Sequence, residues 1–319
     1  MNIFNLNNLY ERSIRDFVDT SNSGDREDGF SLTKIINFLK IKFHFPHVDL
    51  FLDFGSLDHV LIQLLSGKRV FVHNFISNIL FDSINRLYSV GVIKELHFFV
   101  DSELFTISEK LGEDDCMVYS HMYGCMNKKI LDLGDRSFTL IEDNIFGLGS
   151  SFGLDKGDKF NYFFGDYSIL SFEPFGAMSW ILVSRSKREF EHKSNYDVRV
   201  SFIYSILKFM DDVISKKFWI FNLYKSALLE CVKDYVEFGV FPDSRIAVEN
   251  YNYSHFVFRL LNLDSDKILS LKKEMMGTMP IISSYSVHES NIFALPIWYS
   301  QDRSITELMC ERLEEIFRL

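Results

Sequence analysis

The sequence is poor in the features that mark several whole classes of protein. Its 319 residues include only 5 Pro and 4 Cys, and Cys116, Cys125, Cys231 and Cys310 lie far apart with no C-x-x-C pair. Neither a disulfide framework nor a zinc site is indicated, and the four read as buried thiols. No run approaches the roughly 18 uncharged apolar residues of a membrane-spanning helix. The N-terminal MNIFNLNNLYERSIRDF has no basic segment followed by an apolar core, so the expected location is the cytoplasm. Positive charge is the scarcer sign: 34 Lys+Arg against 44 Asp+Glu leave a net charge of −10, and the basic residues are scattered. Nucleic acid and anionic membrane, which both need a concentrated positive field, are not expected partners. Apolar residues are abundant, at 47% against 24% charged, enough for a substantial core and too many for a disordered chain. The 33 Phe are a compositional excess that carries no mechanism by itself.

Through the first two-thirds, apolar runs of strand length alternate with helical patterns. VDLFLDF, KRVFVHNF, ELHFFVD, CMVYSHMY, FTLIED, NYFFGDYSILSF and SWILVSR are short, rich in Val, Ile, Phe and Tyr, and bounded by Gly, Asp, Asn or Lys; each reads as a buried strand. SLDHVLIQLLSG and SNILFDSINRLYSVG have helical period, the second placing Ile79, Ser83, Leu87 and Val90 near one face with Gly91 as a stop. This alternation predicts an α/β fold, a mostly parallel seven-stranded sheet with helices on both faces. From about Val198 the pattern turns to long helix, with one break expected near Lys216. Strand-like pieces around YSHFVFRLL and NIFALPIW follow, and then a helix SITELMCERLEEIF opening on a Ser304-x-x-Glu307 capping box. The expected division is a large domain over 1–211 and a smaller α+β domain over 212–319, closely packed because no linker separates them.

In such a sheet, ligands bind outside the carboxyl ends of the strands. Gly55 and Ser56 follow the first run and open a helix at Leu57, where free N–H groups and the helix dipole suit a phosphate; the same residues also make an ordinary strand-to-helix turn. Asp143 ends FTLIED, placed either to meet a cationic ring nitrogen or to cap a helix. Ser168 and Ser171 follow in GDYSILSFEPFG, and NYDVRVSF, from Asn195 to Phe202, opens the long helix. GLGSSFG, from Gly147 to Gly153, has the wrong last spacing for a dinucleotide loop. His121 reads as pocket-facing or as a hydrogen-bonded core histidine, and GEDDC as a solvated turn or a cation site.

Taken in order, six segments resemble the motifs of the sugar-nucleotide aminotransferase family often called DegT or AHBA synthase, within the fold-type-I pyridoxal phosphate enzymes. FGSLDHVLIQLLSGKRVFVHNF is similar to its Gly-Thr helix, strand and aromatic-bearing loop, and VYSHMYG to its Val-His-x-Tyr-Gly motif. LIEDNIFGLGSS is similar to its Ile-Glu-Asp motif and GDYSILSFEP to its Gly-Asp-x-x-x-x-Ser-Phe segment. SNYDVRVSFIYSILKFMDDV looks like its Asn-Tyr-Arg helix and FALPIWYSQDRS like its Leu-Pro segment. The resemblance implies a cofactor pocket in which Gly55 and Ser56 bind a phosphate through backbone N–H groups and Ser171 adds a hydroxyl. Phe75 would stack on the pyridine ring, unless it is simply a core Phe, and Asp143 would hold the ring nitrogen protonated. Asn195 would reach the phosphate of a neighbouring subunit's cofactor, which implies a homodimer with shared sites.

The departures from that pattern carry as much chemistry as the matches. Where the family has its Schiff-base Lys, SFEPFG places Gly176, and neither Lys nor His occurs between Lys159 and Lys187. The nucleophile that would hold the cofactor and move the proton is therefore missing. Phe146 stands in place of a Gln near the cofactor's phenolic oxygen, and Asp197 in place of the Arg of Asn-Tyr-Arg. The first expectation is a degenerate aminotransferase-fold protein without ordinary transaminase activity, a binding or partner subunit tied to nucleotide-sugar or polysaccharide biosynthesis. The second is an enzyme that binds pyridoxal or pyridoxamine phosphate non-covalently and acts on a nucleotide-linked keto sugar. The third is a sugar-nucleotide groove reused for cofactor-free chemistry or ligand binding. In none of them is a cofactor held covalently.

Overall fold

The computed structural model describes residues 32–154, 162–175, 177, 179–187, 198–232, 235–238, 251–278, 291–298 and 301–318. Helix α1 (Leu32–Phe43) precedes strand β1 (His47–Phe51). The chain then alternates through α2 (Leu57–Leu65), β2 (Arg69–His73), α3 (Asn78–Ser89), β3 (Glu95–Phe99) and the short α4 (Leu104–Ser108). Strands β4 (Asp115–Ser120), β5 (Thr139–Asp143), β6 (Tyr167–Ser171) and β7 (Trp180–Ser184) complete the sheet, one strand from each expected run. β4, β6 and β7 are buried along their whole length, which is why they read as unbroken apolar runs.

The strand order is β1-β7-β6-β5-β4-β2-β3. Neighbours from β6 to β3 pair in parallel, and β7 runs antiparallel to both β6 and β1. All strands but β7 therefore end on one edge. Phe51 and Ser171 both register with Trp180, Ile169 with Asp143, and Asp143 with Ser120. The Trp180 ring stacks on Phe51 with centroids 4.0 Å apart, and its Nε1 donates to the Asp53 carbonyl at 2.8 Å. The start of β7 thereby pins the turn between β1 and α2.

Helix α3 buries Leu80, Ser83, Ile84 and Leu87, whereas Val90, expected on that face, is exposed. The helix has already ended there, and Gly91 takes φ +77°, a left-handed conformation that Gly adopts without strain. Beyond the first sheet come α5 (Val198–Lys208), α6 (Met210–Val232), β8 (Val236–Phe238), β9 (His255–Leu260), α7 (Ser265–Thr278), β10 (Ile292–Pro296) and α8 (Arg303–Phe317). The three strands form an antiparallel sheet, β10-β9-β8, in which Phe258 pairs with and stacks on Phe293.

Two expectations need correction here. The helix break falls at Phe209, and α6 runs unbroken through Lys216 and Lys217, both buried; lysine is a good helix former, so nothing at 216 stops it. Helix α8 is capped by Asp302, whose carboxylate accepts from the Ile305 N–H at 2.9 Å, while Ser304 Oγ donates to the same carboxylate. An ionised acceptor makes a stronger cap than the hydroxyl of the expected box. One continuous core joins Leu57, Val72 and Ile141 of the first sheet region to Tyr224 of α6 and to Phe256, Leu295 and Phe317. The two parts thus pack closely. Cys116 and Cys125 are buried free thiols, and Cys231 and Cys310, half-buried because they lie on helix flanks, are also free.

Candidate functional site

The carboxyl edge of the first sheet gathers most of the residues singled out in the sequence. After β1, Asp53 caps the turn Phe54–Ser56 that leads into α2: its Oδ1 accepts from the Ser56 N–H at 3.2 Å, and Ser56 Oγ donates to the Asp53 carbonyl at 2.8 Å. A Cβ on Gly55 would lie 3.1 Å from that same Oδ1, so Gly leaves room for the carboxylate. The amide of Ser56, a donor that a phosphate would use, already holds an anion. A second unit charge about 4 Å away is opposed by about 4 kcal/mol at the effective dielectric near a protein surface. Asp53→Asn keeps an acceptor for the cap and removes the charge. Calorimetry with pyridoxamine phosphate should then show affinity improved roughly tenfold or more over wild type, whereas unchanged affinity would mean that the carboxylate does not guard the turn.

Asp143, at the end of β5, is fully buried. Its Oδ2 accepts from the Ser77 N–H at 2.6 Å and from Ser120 Oγ at 3.3 Å, and the Ile145 N–H lies 3.5 Å from Oδ1. Burial pushes this carboxyl up, and the Ser77 amide pulls against that shift. Because α3 starts at Asn78, Asp143 caps that helix across the sheet, the helix-capping alternative realised by a partner 66 residues away. Ser171 is equally committed: Oγ donates to the Ile145 carbonyl at 2.9 Å and accepts from the Glu173 N–H at 3.2 Å. Phe75 is half-buried, with its ring 5.4 Å from His73 and packed against the main core.

Asp143 and Ser171 therefore meet through Ile145, and Phe75 is tied to them through Ser77, two residues on. Gly55 and Ser56 sit at the end of β1, with β7 between that strand and β6. Asn195, Gly176 and Asp197 lie outside the described residues. Phe146 faces the second sheet: its ring is 5.0 Å from His255, and Asn252 Nδ2 donates to its carbonyl. His121 is a core histidine, Nδ1 accepting from the Asn127 N–H at 3.0 Å and Nε2 3.8 Å from Glu142 Oε1. In GEDDC, Glu113 and Asp114 are exposed while Asp115 pairs with Arg69 through two 2.7 Å bonds. Among the described residues no cluster could hold a metal.

Three residues escaped the sequence reading. Asp53 carried a signal, an Asp just before Gly-Ser and a helical run. Lys217 and His255 carried none, since a mid-helix Lys and a strand His are ordinary until their burial is known. As placed, the Ser56 amide, the Asp143 carboxylate and the Ser171 hydroxyl each already hold a partner within the chain.

No protein-family model matches the sequence, and no curated protein does either. Solved structures do match. A DegT/DnrJ/EryC1/StrS aminotransferase from Brucella abortus aligns at TM-score 0.67 with 16% identity, over 99% of each chain. 3-Amino-5-hydroxybenzoic acid (AHBA) synthase aligns at 0.64 with 14% identity, over 96% of each chain. NtdA from Bacillus subtilis, with bound pyridoxamine phosphate, aligns at 0.65 with 13% identity, over 97% of this chain and 82% of its own. At these identities the likeness fixes architecture: the chain has the fold-type-I aminotransferase fold in the form seen in DegT-type sugar aminotransferases.

Proposed function

We propose that this chain is a degenerate aminotransferase-fold protein that does not run ordinary transamination and serves as a binding or partner subunit in nucleotide-sugar or polysaccharide biosynthesis. The observation that carries this reading is the internal commitment of the anchoring groups: Asp53 on the Ser56 amide, Asp143 on the start of α3, and Ser171 on Ile145. The sequence supports it independently, with Gly176 in the lysine slot and no Lys between Lys159 and Lys187. Without that amine there is no group to release product from the cofactor or to carry the proton, a transfer worth about 10²–10⁴-fold in rate. No described helix is long and apolar enough to cross a membrane, which supports a protein working in the cytoplasm. Under the same reading the chain pairs as a two-fold dimer, Asn195 reaching toward the partner's site.

The reading in which the cofactor is bound non-covalently draws on neighbours with bound pyridoxamine phosphate; the committed Asp143 and Asp53 weigh against it here. The deciding assay supplies glutamate, pyridoxal phosphate and a nucleotide-linked keto sugar to the purified chain alone. The expected result is no amino-sugar product, with the nucleotide sugar still bound by calorimetry. Robust amino transfer would overturn the proposal.

A further inference from the structure

Among the described residues, strand β3 is the last of the seven-stranded sheet, paired only with β2. Backbone groups of successive residues point to opposite sides of a strand, and the Phe99 carbonyl points inward, accepting from the Asn74 N–H at 2.8 Å. The N–H and C=O groups of Leu96 and Phe98 therefore point out of the sheet edge. On either side of them the edge is already used. The Lys94 N–H donates to the Lys68 carbonyl, the Glu103 N–H donates to the Val100 carbonyl, and the Glu103 carboxylate accepts from the Val100 N–H. The open stretch runs from Leu96 to Phe98.

Its side chains are apolar where a free edge is ordinarily charged. Phe98 is 46% exposed and Val100 36%. On α3 alongside, the Phe81 ring lies 5.9 Å from that of Phe98, and Tyr88, on the same helix face as Phe81, is 48% exposed. Leu96 and Phe98 share the sheet face that α3 covers. Glu95 and His97 lie on the opposite face and pair with each other at 3.3 Å.

Free donors and acceptors flanked by apolar side chains form a template for another strand, and the strand that matches this one is its own copy. About a two-fold axis, the register that mates only the free groups sets Leu96 against the partner's Phe98 and Phe98 against the partner's Leu96, each pair exchanging both backbone hydrogen bonds. His97 then faces its own copy and Glu95 faces Phe99, so no carboxylate opposes a carboxylate, and each Glu95 lies diagonal to the partner's His97. The neighbouring registers fail. One opposes Glu95 to Asp101 and needs the committed Val100 groups, and the other needs the committed Lys94 N–H.

We propose that the β3 edge is a self-association surface, on which a second copy of this chain pairs its own β3 antiparallel about a two-fold axis at His97, joining the two sheets into one. This goes beyond the preceding section, whose pairing rests on Asn195.

The test measures the mass of the full chain by sedimentation equilibrium and maps the register with cysteine variants under air oxidation, with wild type as the baseline. Position 97 of the two copies forms a non-hydrogen-bonded pair with Cα atoms about 4.5 Å apart, within the span of a disulfide. His97→Cys should therefore cross-link to a covalent dimer on a non-reducing gel. Glu95→Cys should not, because its two copies stand four residues out of register, about 13 Å apart along the strand. Phe98→Lys, a change at an exposed position, should halve the mass of the assembly and raise its dissociation constant at least about a hundredfold. If that variant loses its circular dichroism, the His97→Cys cross-link decides alone. An unchanged mass in folded Phe98→Lys overturns the proposal, as does Glu95→Cys cross-linking as fast as His97→Cys, or a wild type that sediments as a monomer. Neither measurement involves the nucleotide sugar or Asn195, so this proposal and the preceding one fall separately.

Discussion

Asp143→Ala is expected to destabilise the protein by about 2–6 kcal/mol, because it leaves two buried donors without an acceptor at roughly 1–3 kcal/mol each. Those donors are the Ser77 N–H at the start of α3 and the Ser120 hydroxyl of β4. Asp143→Asn retains an acceptor and should cost less than half as much. Urea unfolding at neutral pH checks both, read as a lower midpoint at unchanged slope. The sign is diagnostic. If this carboxyl were an idle group waiting for a cationic ring, removing it would relieve a burial penalty and raise stability. The pH dependence adds a second sign. The folded carboxyl holds its proton more tightly than the unfolded one, so its contribution is fully present below the ordinary carboxylate range and declines as pH rises through the raised value. The Ala variant should lack that decline.

Lys217→Met is expected to do the opposite, stabilising the protein near neutral pH by about 2–4 kcal/mol after the loss of one carbonyl hydrogen bond. The folded amine is moved down to about 7 from 10.5, so between those values the unfolded chain binds the proton that the folded chain does not. The stability contributed by Lys217 therefore rises with pH through that window, by up to about 1.4 kcal/mol per unit. Other buried groups contribute to the pH dependence there too, Cys116 and Cys125 among them, because their thiols ionise near 9.0 in the unfolded chain but are pushed up to about 12 by burial in the folded one. The quantity to read is consequently the difference between wild type and variant. It should be largest at pH 7 and close as pH approaches 10.5. A gap that does not change with pH would mean that the amine carries its charge at neutral pH.

The sheet was legible because each strand is a short apolar run closed by Gly, Asp or Asn, and because helical periods separate most of them. The antiparallel direction of β7 was not, since SWILVSR is apolar throughout and reads the same in either sense. A break near Lys216 does not form because lysine is a good helix former, and Lys216 and Lys217 are both buried within α6. The site was half legible. Asp143 and Ser171 do converge with the Phe75 loop, but what they bind is set by Ser77 and Ile145, partners brought close only by strand order. The cap of α3 comes from a different strand, and no local pattern encodes it. Asp53 was the most readable of the overlooked groups, since Asp is a preferred residue at the start of a helical turn.

The most direct measurement of whether this fold has given up its cofactor is the near-ultraviolet and visible absorbance of the purified protein after incubation with pyridoxal phosphate and removal of unbound ligand. The account predicts a spectrum without the band of a lysine Schiff base, unchanged by borohydride, because Gly176 offers no amine and Asp53 holds the Ser56 amide. A stoichiometric band that survives gel filtration and is fixed by borohydride would contradict it.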